Sequence, residues 1–158
     1  MRQFQRLAKE ANIAIIFVVV LKENEKSKNN AIFLDKNGEI KEIYTKIHPF
    51  FANEDEYFIA GKKIVKINFK DVKIWLSICY NLGFCNLYSL IDDCNMIVNI
   101  ANWPQKRIEH WNTLLKVRAI ENQPYIIGVN RIGVDSNNLE YIESSRAFNA
   151  NGDELEYK

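Results

Sequence analysis

Three runs of this chain are apolar at consecutive rather than alternate positions: IAIIFVVVL at 13–21, MIVNIAN at 96–102 and YIIGVN at 125–130. A strand with one wet face alternates, so runs of this kind predict strands buried on both faces, which occur where helices cover a sheet. The segments between them supply such helices. Phe4, Leu7, Ala8 and Ala11 recur at helical spacing, as do Ile108, Trp111, Leu115 and Ala119 in a second helix that Pro104 opens and Pro124 closes near Asn122. The expected architecture is α/β, sheet and helix layered in a single domain over residues 1–158. A chain of 158 residues that is 47% hydrophobic and 12% aromatic can fill one such core.

Shorter signals complete the outline. The polar stretch ENEKSKNN at 23–30 reads as a loop. In AIFLDKNGEIKEIY, Asn37-Gly38 supplies the positive φ angles of a tight hairpin between two short strands. KKIVKINF at 62–69 and VKIWLSICY at 72–80 read as a further strand pair turning at Asp71, LYSLIDD at 87–93 as a short helix, and LEYIESSRAFNANGDEL as a strand followed by an Asn-Gly turn.

Charge restricts the partners. Lys and Arg number 21 against 20 for Asp and Glu, so no field of one sign recruits nucleic acid or an anionic membrane surface. The apolar run to Leu21 is too short to span a bilayer, and MRQFQRLAKEAN reads as an amphipathic helix rather than a signal peptide. The expectation is a soluble, cytoplasmic chain whose partner is a small molecule or another protein, with no nucleic acid and no membrane, and with room for a homo-oligomer. Cys79, Cys85 and Cys94 are odd in number and read as free thiols.

Polar residues collect at the ends of the predicted strands: Cys79-Tyr80-Asn81, Asn99 to Trp103, and Asn130-Arg131. Layered α/β proteins place their sites at such ends, where a rigid strand positions a group and the next loop exposes it. Cys79 carries two readings. A lone Cys after an apolar strand commonly fills the core. The polar, glycine-containing turn that follows would instead bring its thiol to a strand edge beside backbone N–H donors, which lower a thiol's pKa and hold an oxyanion. Zinc is the competing chemistry, with His48 or His110 beside the three thiols, but the C-x5-C and C-x8-C spacings are not those of zinc knuckles, so no metal is expected.

Several stretches together resemble the nitrilase, or carbon–nitrogen hydrolase, superfamily, and most closely its omega-amidase branch. YTKIHPF at 44–50 resembles the segment Y-x-K-x-H-x-F, and EDEYFIAG at 54–61 the E-x-x-Y-F-x-P-G stretch after it. ICYN at 78–81 resembles the nucleophile turn I-C-Y-D, and ANWPQKRIEHW at 101–111 with RAIENQPYIIGVNRIGVD at 118–135 are close to the omega-amidase pattern. The matches run in family order along nearly the whole chain.

The resemblance implies a partial α-β-β-α sandwich and a cofactor-free, metal-free hydrolase acting on the terminal amide of small ω-carboxamide acids such as 2-oxoglutaramate. Cys79 would attack the carbonyl through a thioester. Lys46 would set a positive charge beside the oxyanion, with the Tyr80 backbone N–H as a second donor, and Glu54 would hold Lys46 or orient water. Tyr80, Asn102 and Trp103 would contact substrate, and Trp111 would be core. Arg118, Glu121, Asn122 and Arg131 read as a polar network supporting the site.

The resemblance also marks departures. The family pattern places a glutamate base on an early strand, in sequence that would precede Met1, and continues beyond Lys158 with further strands and a subunit-contact tail. The chain is therefore expected to be truncated at both ends, and loss of such a base lowers a rate by at least ~10²-fold. Asn81, Gly83 and Glu143 stand where the pattern has Asp, Arg and Gly. The alternative to an amidase is thus an inactive or partner-dependent nitrilase-like fragment.

Overall fold

The computed structural model describes residues 1–50 and 54–156, and the chain divides into two compact units, Met1–Val65 and Lys66–Lys158.

The first unit opens with helix α1 (Arg2–Ala11), which stops at Asn12 in the left-handed region (φ 54), the cap N–H reaching back to the Ala8 and Lys9 carbonyls. Its buried residue, Ala8, packs with Phe17, Ile32 and Leu34, and the Phe4 ring stacks on Phe17 with centroids 4.1 Å apart. Strands β1 (Ile15–Glu23), β2 (Lys26–Leu34) and β3 (Ile40–Thr45) form an antiparallel sheet in that order.

ENEKSKNN is not a loop: β1 and β2 stay paired to Glu23↔Lys26, Asn24 takes the positive φ of the turn (57), and Lys28 pairs with Glu23. Ladder hydrogen bonds come from the backbone, so a polar stretch opposite a long β-branched strand can pair, with Glu23 to Lys26 exposed at the turn and Asn30 buried at the inner end. Nor is β1 buried on both faces. Of its residues only Phe17 is buried, and Val20 is 52% exposed. A consecutive apolar run marks a strand without saying what covers each face. The β2–β3 hairpin forms, but of the Asn37-Gly38 pair Gly38 alone takes a positive φ (74), and the Asp35 carboxylate accepts the Asn37 and Glu39 amides at 2.9 and 3.0 Å.

The second unit is built on strands β4 (Lys66–Phe69), β5 (Val72–Ile78), β6 (Met96–Ala101), β7 (Tyr125–Asn130) and, after the small β8 (Gly133–Val134) and β9 (Glu140–Tyr141) hairpin, β10 (Arg146–Phe148). Their order is β10-β7-β6-β5-β4, with β5, β6 and β7 parallel and the two outer strands antiparallel. The predicted strand at 62–69 is confined to β4, and the predicted helix at 87–93 is replaced by a single turn, Cys85–Tyr88 (α2 being Glu54–Tyr57 of the first unit, this is α3). The long helix is α4 (Ile108–Asn122), entered through a 3-10 turn at Gln105–Arg107 after Pro104. Trp111, Leu115, Arg118 and Ala119 are its buried residues. α4 packs on β7 at Gly128, where a Cβ would come within 2.4 Å of a Leu115 methyl and 2.7 Å of the Trp111 ring.

The parallel registers align Ile78 with Ile100 and Ala101 with Asn130, so β5, β6 and β7 end together. Their carboxyl ends release Cys79, Asn102 and Arg131 along one edge of the sheet, which is where an open α/β sheet presents its ligands.

Candidate active site

Cys79 follows β5 directly and opens a 3-10 turn, Cys79–Gly83. Its φ is +46, although it is not glycine. A side chain in that region costs about 1–2 kcal/mol, and such strain collects at functional positions. The thiol is half-buried and its Sγ lies 4.0 Å from the Asn102 carbonyl at the end of β6. Asn81 is fully buried, its carbonyl accepting the Phe84 amide, and the Tyr80 and Phe84 rings meet edge to face at 5.1 Å. At Gly83 a Cβ would meet nothing within 4 Å, so packing does not require glycine there.

The turn rests on buried polar contacts. Beneath it, Ser77 Oγ is 2.9 Å from the Tyr88 hydroxyl and accepts the Asn99 amide at 2.8 Å, joining β5, α3 and β6. Burial pushes the Tyr88 phenol up from its usual pKa, so it remains a neutral hydrogen-bonding group. Arg118 Nε donates to the Leu82 carbonyl at 3.1 Å, Nη1 pairs with Glu121 at 2.5 Å, and the guanidinium lies 5.0 Å over the Tyr88 ring. Asn122 Nδ2 closes this cluster on the Arg118 carbonyl.

Arg131 does not join that network. It lies at the end of β7 with its guanidinium 4.7 Å over the Tyr141 ring, and the Tyr141 hydroxyl donates to Asp135 at 2.9 Å. Burial, and next the hydrogen bond to Asp135, push the Tyr141 phenol up from its usual pKa. Arg131, Asp135 and Tyr141 were not singled out as a cluster by sequence, because the contacts span a hairpin whose own signal is weak. The neighbouring Trp103 is only 3% exposed, its indole N–H bonded to the Arg107 carbonyl and its ring 5.4 Å from Trp111. Asn102, by contrast, is exposed.

In the first unit Lys46 follows β3. Its side chain is 4% exposed, and Nζ meets Glu54 Oε2 at 2.6 Å. The same carboxylate oxygen accepts the Phe50 amide at 2.8 Å, while the Lys46 backbone is held by Asn29 and Gly61 at 2.9 and 2.8 Å. Gly61 is required there: a Cβ would stand 2.1 Å from the Thr45 carbonyl oxygen. A buried ammonium held by one carboxylate is a fixed, dehydrated cation.

The structure thus brings Lys46 to Glu54, and brings Cys79 to Asn102, with Tyr80 and Trp103 on the adjoining turns. Among the described residues no three of His, Cys, Asp or Glu gather as a metal set. No described helix is long and apolar enough to cross a membrane.

The sequence pattern of the Carbon-nitrogen hydrolase family matches residues 1–155. The chain belongs to that family. It is 34% identical over 147 residues to the omega-amidase YafV of Escherichia coli K12, covering 92% of this chain and 57% of that one. It is 35% identical over 135 residues to the 2-oxoglutaramate amidase of Paenarthrobacter nicotinovorans, covering 80% and 46%. Among solved structures it matches the CN-hydrolase superfamily protein XC1258 of Xanthomonas campestris, which carries an arsenic adduct in its active site, with a TM-score of 0.90, 30% identity and coverage of 97% and 61%. The expected α/β fold of the nitrilase type and the omega-amidase-like branch are therefore established, and the chain spans about half the length of the curated relatives it matches.

Proposed function

We propose that this carbon–nitrogen hydrolase chain carries omega-amidase chemistry, releasing ammonia from the terminal amide of a small ω-carboxamide acid of the 2-oxoglutaramate kind. The observation that carries this reading is the backbone of Cys79, held at φ +46 at the carboxyl edge of parallel strands with its thiol half-exposed. A core-filling cysteine has no need of that strain. The relatives named as omega-amidase and 2-oxoglutaramate amidase support the substrate class.

An amide is a poor electrophile with a poor leaving group, and a thiol nucleophile divides one hard step into two. The Cys79 sulfur bonds to the amide carbon, the carbonyl electrons move to oxygen, and the C–N bond then breaks with the thiol's proton leaving on ammonia. Water adds to the thioester, expelling the thiol and giving the acid. In this scheme the Tyr80 backbone N–H opposes the charge developing on oxygen, a task that the family resemblance also gives to the ammonium of Lys46, anchored by Glu54. Asn102 and the segment held by buried Trp103 form the substrate wall.

A second reading, a nitrilase-type chain that binds without turnover, draws on Asn81 and Gly83, which replace the Asp and Arg of the family turn and remove an ion pair beside the nucleophile. Intact-mass measurement of wild type and Cys79→Ala after exposure to an activated acyl ester, alongside ammonia release from 2-oxoglutaramate, separates the two. Cys79-dependent acylation with ammonia release supports the amidase. A folded chain giving neither supports the second reading.

A further inference from the structure

Omega-carboxamide acids carry a carboxylate as well as an amide, and a site for them needs a cation distinct from one that serves the oxyanion. Arg131 has the properties of that cation. Its backbone N–H donates to the Ala101 carbonyl at 3.2 Å, which extends the β6–β7 pairing and places Arg131 next to Asn102, the residue whose carbonyl faces the Cys79 thiol. Its guanidinium is stacked 4.7 Å over the ring of Tyr141, itself 6% exposed, so one face is covered and the planar fork is oriented.

The nearby acid is already engaged. Asp135 Oδ1 accepts the Asn137 and Leu139 amides at 2.8 and 3.0 Å, and Oδ2 accepts the Tyr141 hydroxyl at 2.9 Å. Among the described residues Arg131 forms no salt bridge, whereas Arg118 and Arg146 are each paired with a glutamate. A half-buried guanidinium whose donors lack a carboxylate, beside a strained thiol, is arranged to receive one from a ligand.

We infer that Arg131, stacked on Tyr141 at the end of β7, binds the carboxylate of the substrate and so sets the preference for anionic over neutral amides. This rests on the proposed amidase reading for the identity of the ligand, but its test needs no turnover. Cys79 is alkylated with iodoacetate or with iodoacetamide, reagents that differ chiefly in the presence of a carboxylate, and the exposed Cys85 of the same molecule serves as the reference thiol. The rate at each cysteine is followed by peptide mass spectrometry.

The iodoacetate-to-iodoacetamide ratio at Cys79 is expected to exceed that at Cys85 by about tenfold. Arg131→Gln should bring it down to the Cys85 value while leaving the iodoacetamide rate within about twofold, and Arg131→Lys, which keeps the charge but not the fork, should fall between. Lys70→Gln, which removes a charge at the β4–β5 turn, should leave the ratio unchanged. A ratio unaffected by Arg131→Gln overturns the inference, as does an equal fall in Lys70→Gln. Loss of reactivity toward both reagents in the Gln and Lys variants alike also overturns it, since Arg131 would then only hold the turn in place. Absence of ammonia release with the expected ratios defeats the amidase reading and leaves the carboxylate site standing.

Discussion

The side-chain amide of Asn130 grips the Trp103 peptide from both sides, Oδ1 accepting the Trp103 N–H at 2.7 Å and Nδ2 donating to the Trp103 carbonyl at 2.9 Å. Nδ2 also reaches Ser144 Oγ at 2.9 Å. One carboxamide therefore continues the β6–β7 pairing beyond the last strand residue and fixes the path of the chain past Asn102. Asn130→Ala leaves a buried N–H and a buried carbonyl unpaired, and each such loss costs about 1–3 kcal/mol. The expected outcome is a loss of about 2–4 kcal/mol in denaturant unfolding, with Asn130→Asp no better because it lacks the donor.

The Lys46–Glu54 pair gives a second prediction. Replacing Glu54 by Gln keeps its shape and its bond from Phe50 but leaves a buried ammonium without a counter-charge. Breaking one side of a buried pair costs about 3–5 kcal/mol; with Glu54 partly exposed we expect roughly half of that. Equilibrium unfolding of Glu54→Gln beside Lys46→Met decides it. If the pair is only structural, the methionine variant, which removes the charge together with its need for a partner, should be the more stable of the two.

Backbone strain at Cys79 is measurable without any substrate. Glycine adopts positive φ freely, and alanine carries the same Cβ penalty as cysteine. Cys79→Gly should therefore be more stable than Cys79→Ala by about 0.5–1 kcal/mol, the reverse of the order expected at an ordinary strand position. Unfolding midpoints that place alanine above glycine would remove the strain argument.

Asp135 predicts a local response to acid. The Leu139 amide, with the Tyr141 hydroxyl and Asn137 amide, holds its carboxyl below the usual value of 3.8. A depressed folded-state pKa means that the turn's stabilisation is present above 3.8 and fades as pH falls through the lower folded value. In an NMR titration the Asn137 and Leu139 amide shifts should move with a midpoint below 3.8. Movement that is complete above that value would contradict the geometry.

The thiols should differ in a predictable order. Burial pushes the Cys94 thiol up, outweighing the backbone hydrogen bonds at Met96 and Trp75, whereas Cys85 is exposed. At pH 8, Cys85 should react with a maleimide well before Cys94, as read by peptide mass.

What the amino-acid sequence determined by itself was local and periodic. The helical spacing of Trp111, Leu115 and Ala119, the hairpin at Asp35 to Gly38, and the buried run around Ile97 depend on side-chain pattern and backbone freedom, which act within a few residues, whereas the run at 125–130 leaves Tyr125 and Val129 exposed. The family motifs likewise placed Cys79 at the end of a strand and Lys46 beside Glu54. The tertiary structure decided matters that depend on partners distant in the chain. ENEKSKNN became strand because β1 offered its ladder, and β1 lost its expected burial because only pairing and packing determine which face is covered. Arg131 left the polar network assumed for it and stacked on Tyr141, a residue of a hairpin with little signal of its own. The left-handed turn at Cys79 was equally unreadable, since cysteine has no intrinsic preference for positive φ, and only the packed ends of β5 and β6 with the contacts beneath the turn can hold it there.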